Sequence, residues 1–183
     1  MRIVAGRNKG RILAAPEGGD TRPTSDRARE ALFNILAHRY APEDFSLHGA
    51  RVLDLFAGTG ALGLEAWSRG AAHVTFVERD AAALKALAAN LRATRAEAEI
   101  LRADATHPPR AKIACDLVFL DPPYAEGVAA AALAAADAAG WVRAGAVAVA
   151  ETAAADAPVW PPGFVVDDRR VYGKAALTFL RRA

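Results

Sequence analysis

The sequence of 183 residues has little of what secreted and membrane proteins need. A single cysteine, Cys115, excludes an internal disulfide. The longest uncharged stretch near the middle, 127–136, is far shorter than the roughly 20 apolar residues that span a bilayer. The first seven residues hold no apolar signal core, and the four histidines form no metal-ligand spacing. We therefore expect a cytoplasmic protein without a membrane segment or a metal.

Length and composition predict one folded domain with a short appendage. Hydrophobic residues make up 53% of the chain and charged residues 24%, which is the ordinary balance of a globular protein. A chain of this length is too short for two full domains. We expect an N-terminal extension over residues 1–40 and a main domain over residues 41–183.

Charge is distributed unevenly along the chain, although the net charge is only +2. Residues 1–40 carry eight Lys or Arg against four Asp or Glu, residues 41–168 carry ten against seventeen, and residues 169–183 carry five against none. Basic ends favour a phosphate-bearing partner, while a solvated charged face would give the same pattern.

The order of apolar patterns predicts an α/β fold with a mostly parallel sheet. Residues 1–20 resemble a short β-hairpin or irregular arm around a basic turn, and a capped amphipathic helix follows over 26–38. The predicted strands are 51–55, 73–77, 99–102, 116–120 and 146–150, with an antiparallel hairpin of 164–171 and 175–180 at the end. The predicted helices of the main domain are 61–69, 81–94 and 126–139.

A glycine-rich turn follows the first predicted strand. Gly58, Gly60 and Gly63 match the pattern G-x-G-x-x-G, and Glu78 ends the next strand about 20 residues on. Such glycines let a ligand approach the backbone, and the strand-end carboxylate accepts hydrogen bonds from ribose hydroxyls. The pattern predicts a ligand that contains a nucleoside, with a tight structural turn as the alternative.

Two further carboxylates bear on the ligand, and Asp54 favours S-adenosylmethionine over a dinucleotide. Asp54 lies four residues before the first glycine, where it would repel a pyrophosphate and attract an ammonium group. S-adenosylmethionine carries that ammonium and a sulfonium. Asp104, just after the third strand, is placed to meet the adenine amine; the alternative is that it caps a turn.

The fourth strand ends in Asp121-Pro122-Pro123-Tyr124, at the edge where open α/β sheets bind ligands. An exocyclic amine of a nucleobase is a poor nucleophile, because its lone pair is delocalised into the ring. The Asp121 carboxylate and the Pro122 carbonyl can hold its N–H groups and turn the lone pair towards a methyl group. Tyr124 offers a ring on which a flipped base can stack. The tetrapeptide predicts amino-methyl transfer, with a proline-rich strand cap as the alternative.

In this order the motifs resemble those of class I S-adenosylmethionine-dependent amino-methyltransferases. With the segment 22–34 and the basic N-terminal arm, the whole chain resembles the RsmD family, the 16S rRNA guanine-N2 methyltransferases of bacteria. The resemblance implies a seven-stranded, Rossmann-like methyltransferase fold and S-adenosylhomocysteine as product. It also implies that the substrate is a guanine in 16S rRNA of an assembled or nearly assembled small ribosomal subunit.

Each motif then has an expected role. The expected cofactor-binding residues are Asp54, Phe56, Gly58, Gly60, Glu78 and Asp104. The expected catalytic residues are Asp121, Pro122, Pro123 and Tyr124. The expected RNA contacts are Arg7, Lys9, Arg11, Arg22 and Arg27. We expect a monomer that transfers the methyl directly to N2, without a metal or a covalent enzyme intermediate.

Three other functions stay open on the sequence. A DNA adenine-N6 or protein glutamine methyltransferase uses a similar Pro-Pro-aromatic loop. An NAD-dependent oxidoreductase shares the glycine pattern, although Asp54 and the Asp-Pro-Pro-Tyr loop count against it. A non-catalytic RNA-binding module would explain the basic ends but leaves the four well-placed carboxylates unexplained.

Overall fold

The computed structural model describes residues 1–16, 26–40, 43–123 and 126–183. Two residues of the expected site, Arg22 and Tyr124, lie outside the described residues. None of the described helices has both the length and the apolar character needed to cross a membrane.

Helices and strands alternate through most of the chain, as the apolar pattern predicts. In chain order the described elements are α1 (Asp26–Arg39), β1 (Arg51–Leu55), α2 (Ala61–Ser68), β2 (His73–Glu78), α3 (Ala81–Thr94), β3 (Ala98–Arg102), β4 (Cys115–Leu120), α4 (Val128–Ala138), β5 (Val142–Ala153), β6 (Phe164–Tyr172) and β7 (Ala175–Arg182). Helix α4 starts later than predicted because Gly127 adopts a left-handed φ of 77° just before it.

Within the described residues one sheet of seven strands has the order β3-β2-β1-β4-β5-β7-β6. Strands β1 to β5 pair in parallel, and β7 pairs antiparallel with both β5 and β6. The predicted parallel sheet with an antiparallel end is confirmed. The chain reverses direction across the sheet at β1, which lies between β2 and β4, and the carboxyl end of such a switch point is where ligands bind.

Side chains alternate along the strands between two apolar cores. Val52 points into one core with residues of α1, α2 and α3, whereas Leu53 and Leu55 point into the other, which α4 covers. Strand residues of even number in β1 therefore face α2. This parity places Asp54 on the α2 side of the sheet.

The N-terminal extension packs on the same core as the sheet. Ile3, Leu13, Leu32 and Phe33 are buried and join the core that holds Val52. Within residues 1–16 the predicted hairpin has a single antiparallel bridge, between Arg2 and Ile12, so it is an arm rather than a pair of long strands. We call residues 1–16 the arm.

Candidate active site

The loop after β1 turns sharply into α2. Phe56, Gly58 and Gly60 all have positive φ, at 60°, 54° and 82°. The Gly60 N–H donates to the Ala57 carbonyl over 2.7 Å, which closes the turn. A Cβ on Gly60 would lie 2.4 Å from Cδ1 of Leu87 and would displace this side chain of α3, and the φ of 82° also favours glycine at this position.

Gly58 meets a different constraint. A Cβ there would have no heavy atom nearer than the Phe56 carbonyl oxygen at 4.0 Å, apart from chain neighbours. The glycine is therefore not needed for packing within the protein, although its φ of 54° still favours glycine. A side chain at this position would block access to the loop backbone. Glycine leaves that backbone open, as a cofactor lying against the loop requires.

Glu78 is fixed by the loop and by the start of α3. Its Oε2 accepts a hydrogen bond from Gly58 N–H over 2.8 Å, and its Oε1 accepts from the backbone N–H groups of Arg79 and Asp80, each over 2.8 Å. A carboxylate has about four acceptor positions, so the three bonds orient the group and leave one acceptor position on Oε2 for a ribose hydroxyl.

Asp54 lies beneath the loop. Its side chain is buried, and Oδ2 accepts a hydrogen bond from Gly63 N–H over 2.9 Å. Burial raises the pKa of Asp54 well above its usual range; the Gly63 bond opposes the rise, and the nearby carboxylates of Asp121 and Glu78 add to it. In the structure Asp54 holds the first turn of α2, and its contact with an ammonium group stays a prediction.

Asp104 follows β3 and caps a turn. Its Oδ1 accepts from the backbone N–H and the hydroxyl of Thr106, over 2.8 and 2.7 Å, and its Oδ2 accepts from Nη1 of Arg79 over 2.8 Å. The hydrogen bonds from Thr106, helped by the charge of Arg79, lower the pKa of Asp104. The turn cap is thus present, and an additional contact with adenine stays a prediction.

The Asp-Pro-Pro loop emerges beside the glycine loop. Leu55 pairs with Val77 on one side and with Leu120 on the other, so Glu78 and Asp121 are the next residues on the two strands that flank β1. The electrostatic influence of both carboxylates on Asp54 is consistent with this placement. The sheet thus gathers three of the four expected carboxylates at the end of β1.

A small cleft lies against the Asp-Pro-Pro loop. Pro122 is buried and Pro123 is exposed, and both line the cleft. Most of its lining is apolar, and three carboxylate residues also contribute: Glu126, Glu151 and Asp156. Among the described residues no group of His, Cys, Asp or Glu side chains is arranged to hold a metal ion.

The basic turn of the arm is exposed. Arg7, Lys9 and Arg11 surround an open concave surface, and the Arg7 guanidinium lies 4.3 Å from the centroid of the Trp67 ring. Lys9 and Arg11 form no salt bridge with any described residue. Arg27 is exposed on α1. The turn is therefore available to bind phosphate.

The basic C-terminal end is used differently. Three of its arginines form ion pairs with carboxylates: Arg170 with Asp168 on the same strand at 2.9 Å, Arg181 with Asp167 on the neighbouring strand at 3.2 Å and Arg182 with Asp137 on α4 at 2.9 Å. Arg169 donates to the backbone carbonyls of Ala154 and Asp156. The charge at this end mainly holds the β6–β7 hairpin in place, which a count along the sequence does not reveal.

Two buried polar residues outside the predicted motifs hold the arm in place. Glu65 on α2 and Asn90 on α3 are 0% and 2% exposed and connect the arm to the body of the protein. A polar residue on the apolar face of an amphipathic helix is the signal that could have found both. Asn90 falls three and seven positions after the buried Leu87 and Ala83.

The strand order, the glycine loop with its paired carboxylate and the Asp-Pro-Pro loop define the class I methyltransferase fold. A family model described as "Conserved hypothetical protein 95" matches residues 1–181. The chain is 34% identical over 185 residues to Ribosomal RNA small subunit methyltransferase D of Escherichia coli, which covers 100% of this chain and 90% of that protein. The chain belongs to this RsmD family of methyltransferases.

Solved structures agree with this assignment. The E. coli methyltransferase yhhF superimposes with a TM-score of 0.85 at 34% identity, over 100% of this chain and 97% of that one. The Thermus thermophilus 16S rRNA N2 G1207 methyltransferase RsmC, in complex with AdoMet and guanosine, shares the fold with a TM-score of 0.65 at 24% identity, over 94% of this chain and 50% of that one.

Proposed function

We propose that this enzyme transfers a methyl group from S-adenosylmethionine to the exocyclic N2 of a guanine in 16S rRNA of the small ribosomal subunit. The observation that carries the proposal is the placement of Asp121-Pro122-Pro123 directly beside the glycine loop, with Glu78 on the other side of β1. Full-length similarity to a small-subunit rRNA methyltransferase supports rRNA as the substrate.

The cofactor fits the residues at the end of β1 and β2. The open approach to Gly58 admits a ligand to the loop backbone, and the oriented carboxylate of Glu78 suits a ribose hydroxyl. Phe56 and Gly60 shape the loop, and Asp104 lies beyond the next strand, on the adenine side in this assignment. Bound there, S-adenosylmethionine supplies an electrophilic methyl group on a sulfonium, and the product is S-adenosylhomocysteine.

Asp121 and the Pro122 carbonyl orient the amine of the extruded guanine. Each accepts one N–H of N2, which directs the nitrogen lone pair towards the methyl carbon. In this displacement the bond from N2 to the methyl carbon would form as the sulfur–carbon bond of S-adenosylmethionine broke, with the thioether leaving as a neutral group. The cationic N2 would then release one proton to solvent. Tyr124 would stack on the base in this mechanism. Neither a metal nor a covalent enzyme intermediate is required by this displacement.

The arm positions the RNA without reading its sequence. Arg7, Lys9 and Arg11 are exposed on one turn and suit the phosphate backbone, with Arg27 and Arg22 as further contacts. We propose that the substrate is an assembled or nearly assembled subunit, in the cytoplasm, and that the enzyme acts as a monomer because one face must dock on a large particle.

Mass spectrometry of nucleosides tests the proposal. The enzyme is incubated with methyl-labelled S-adenosylmethionine and, separately, with undermethylated small subunits, naked DNA and candidate proteins. We expect labelled N2-methylguanosine from the subunits alone, and none from subunits that already carry the modification. Labelled N6-methyladenine or methylglutamine would overturn the guanine assignment, and NADH binding in a fluorescence titration would favour the oxidoreductase.

A further inference from the structure

Asn90 is a buried amide between the arm and the glycine loop, residues 56–60, which we now call the cofactor loop. It lies on the face of α3 that also carries Leu87, and it is 2% exposed. A buried amide must satisfy its hydrogen bonds within the protein, because each unpaired polar group costs on the order of 1–3 kcal/mol. Its partners therefore show which segments the fold holds together at this point.

The partners of Asn90 come from two separate segments. Oδ1 accepts a hydrogen bond from Ala14 N–H over 2.7 Å, and Nδ2 donates to the Ala14 carbonyl over 3.1 Å. Nδ2 also donates to the carbonyl of Thr59 over 2.9 Å. Thr59 lies between Gly58 and Gly60 in the cofactor loop, so one side chain bonds both the end of the arm and the middle of that loop.

The arm has a second connection to the same loop, through α2. Helix α2 begins immediately after Gly60, and its buried Glu65 accepts hydrogen bonds from the N–H groups of Val4 and Ala5, over 2.8 and 3.0 Å. The hydroxyl of Ser68, also on α2, accepts from Asn8 N–H over 2.9 Å. The arm is thus bonded to both helices that flank the loop.

We propose that Asn90 is a positioning residue that couples RNA binding at the arm to cofactor binding at the loop, an inference that rests on the proposed function. RNA held by the basic turn restricts the arm, and Asn90 passes this restriction to the Thr59 carbonyl. The loop then loses less freedom when the cofactor binds, so each ligand tightens the other.

Equilibrium dialysis with radiolabelled S-adenosylhomocysteine measures the coupling without turnover. The dissociation constant Kd is determined with and without saturating undermethylated small subunits, for the wild type and Asn90→Ala. We expect subunits to lower the wild-type Kd by at least about fivefold. In Asn90→Ala the ratio of the two Kd values should fall most of the way to one, because only the connection through α2 remains. A purely structural role would shift both Kd values and keep their ratio.

A matched control removes a different buried polar group from α3. The Thr94 hydroxyl is buried one turn after Asn90, and among the described residues it donates only to the backbone carbonyls of Asn90 and Leu91, over 2.8 and 3.3 Å. Thr94→Val removes these bonds within the helix and leaves the side-chain bonds of Asn90 in place. This variant should keep the wild-type ratio of Kd values.

Asn90→Ala leaves a cavity at a buried position and could prevent folding. A second variant therefore changes the arm residue at the other end of the hydrogen bond. Ala14 is exposed, and Ala14→Pro removes the N–H that donates to Asn90. If Asn90→Ala does not fold, Ala14→Pro serves in its place, and its ratio of Kd values should likewise fall towards one.

The outcomes separate the two proposals. A wild-type ratio of one, in an enzyme that binds both ligands and methylates subunits, overturns the coupling alone, as does a wild-type ratio in folded Asn90→Ala or Ala14→Pro. An enzyme that binds no S-adenosylhomocysteine, or methylates no subunits, overturns the proposed function and this inference with it.

Discussion

The backbone N–H of Gly58 donates a hydrogen bond to Oε2 of Glu78 over 2.8 Å, across 20 residues of sequence. The bond joins the loop after β1 to the end of β2, and it ties Gly58 to the carboxylate expected to hold the ribose. The acidic residue therefore orders the loop, in addition to its expected bond with the cofactor.

Glu78→Gln should weaken cofactor binding strongly. A carboxamide has only one oxygen, so it cannot accept from all three backbone N–H groups that orient Glu78 and still serve a ribose hydroxyl. Charged hydrogen bonds contribute about 1.5–3 kcal/mol, so we expect the Kd for S-adenosylmethionine to rise at least about tenfold by calorimetry.

Glu99→Gln is the matched control for Glu78. Glu99 lies on the neighbouring strand β3 and its salt bridge with Lys112, at 3.4 Å, is outside the site. Its Kd should equal that of the wild type. A Kd for Glu78→Gln within twofold of the wild type would remove Glu78 from the cofactor site.

Local patterns predicted most of the sheet, because strand and helix periodicity are properties of neighbouring residues. The apolar pattern predicts the first strand, 51–55, to the residue, and it also predicts the antiparallel hairpin that the structure has at the end of the chain. The gathering of Glu78 and Asp121 beside β1 also follows from sequence, since the carboxyl ends of parallel strands share one edge of the sheet.

Long-range polar partners were not predictable in the same way. The sequence shows Arg181 and Arg182 as free positive charge, but the fold brings Asp167 and Asp137, 14 and 45 positions away, against them. The bonds of Asn90 join residues 31 and 76 positions away, and no local pattern encodes such partners. These contacts depend on the three-dimensional packing of the arm on α2 and α3.

Asp121→Ala should abolish turnover and leave cofactor binding nearly intact. The carboxylate is expected to orient the guanine amine, whereas the bonds that order the cofactor loop come from Glu78 and Asn90. We expect methylation of undermethylated subunits to fall by at least about 100-fold, while the Kd for S-adenosylmethionine changes less than about threefold.

Asp121→Asn provides a graded comparison at the same position. Asparagine keeps one oxygen that can accept an N–H of the guanine amine, so this variant should retain more activity than Asp121→Ala. Near wild-type methylation by Asp121→Ala would exclude the assigned role. Equal activity of the two variants would show that the acceptor oxygen does not matter.

Neutralising the arm should weaken subunit binding and flatten its salt dependence. With Arg7, Lys9 and Arg11 changed together to Gln, the slope of log K against log salt concentration should fall by about two to three, roughly one per lost phosphate contact. The affinity for S-adenosylmethionine alone, measured by calorimetry, should stay unchanged or nearly so.

The C-terminal hairpin supplies a matched control for the arm. Arg169, Arg170 and Lys174 carry the same formal charge, but both arginines already have partners within the fold. Changing these three to Gln should leave the salt slope of subunit binding close to that of the wild type. An unchanged salt slope for the arm variant would show that the basic turn is a solvated surface that does not contact RNA phosphates.

Asp54→Asn should stabilise the protein at neutral and higher pH. Burial raises the pKa of Asp54, so the folded state binds a proton that the unfolded state releases as the pH rises above about 4. The wild type therefore loses stability between the ordinary carboxyl pKa and the raised folded pKa. Asparagine keeps an oxygen that can accept from Gly63 N–H and carries no charge, so this loss disappears.

Thermal unfolding between pH 4 and pH 8 measures this effect. A gain of about 1 kcal/mol would raise the Tm by about 2–4 °C in a protein of this size, and the difference from the wild type should shrink towards pH 4. Asp116→Asn is the control. Asp116 pairs with Arg143 at 2.9 Å and accepts from Arg51 N–H, so removal of its charge should not stabilise the folded protein. A Tm difference for Asp54→Asn that does not depend on pH would show that the buried carboxyl does not titrate with folding.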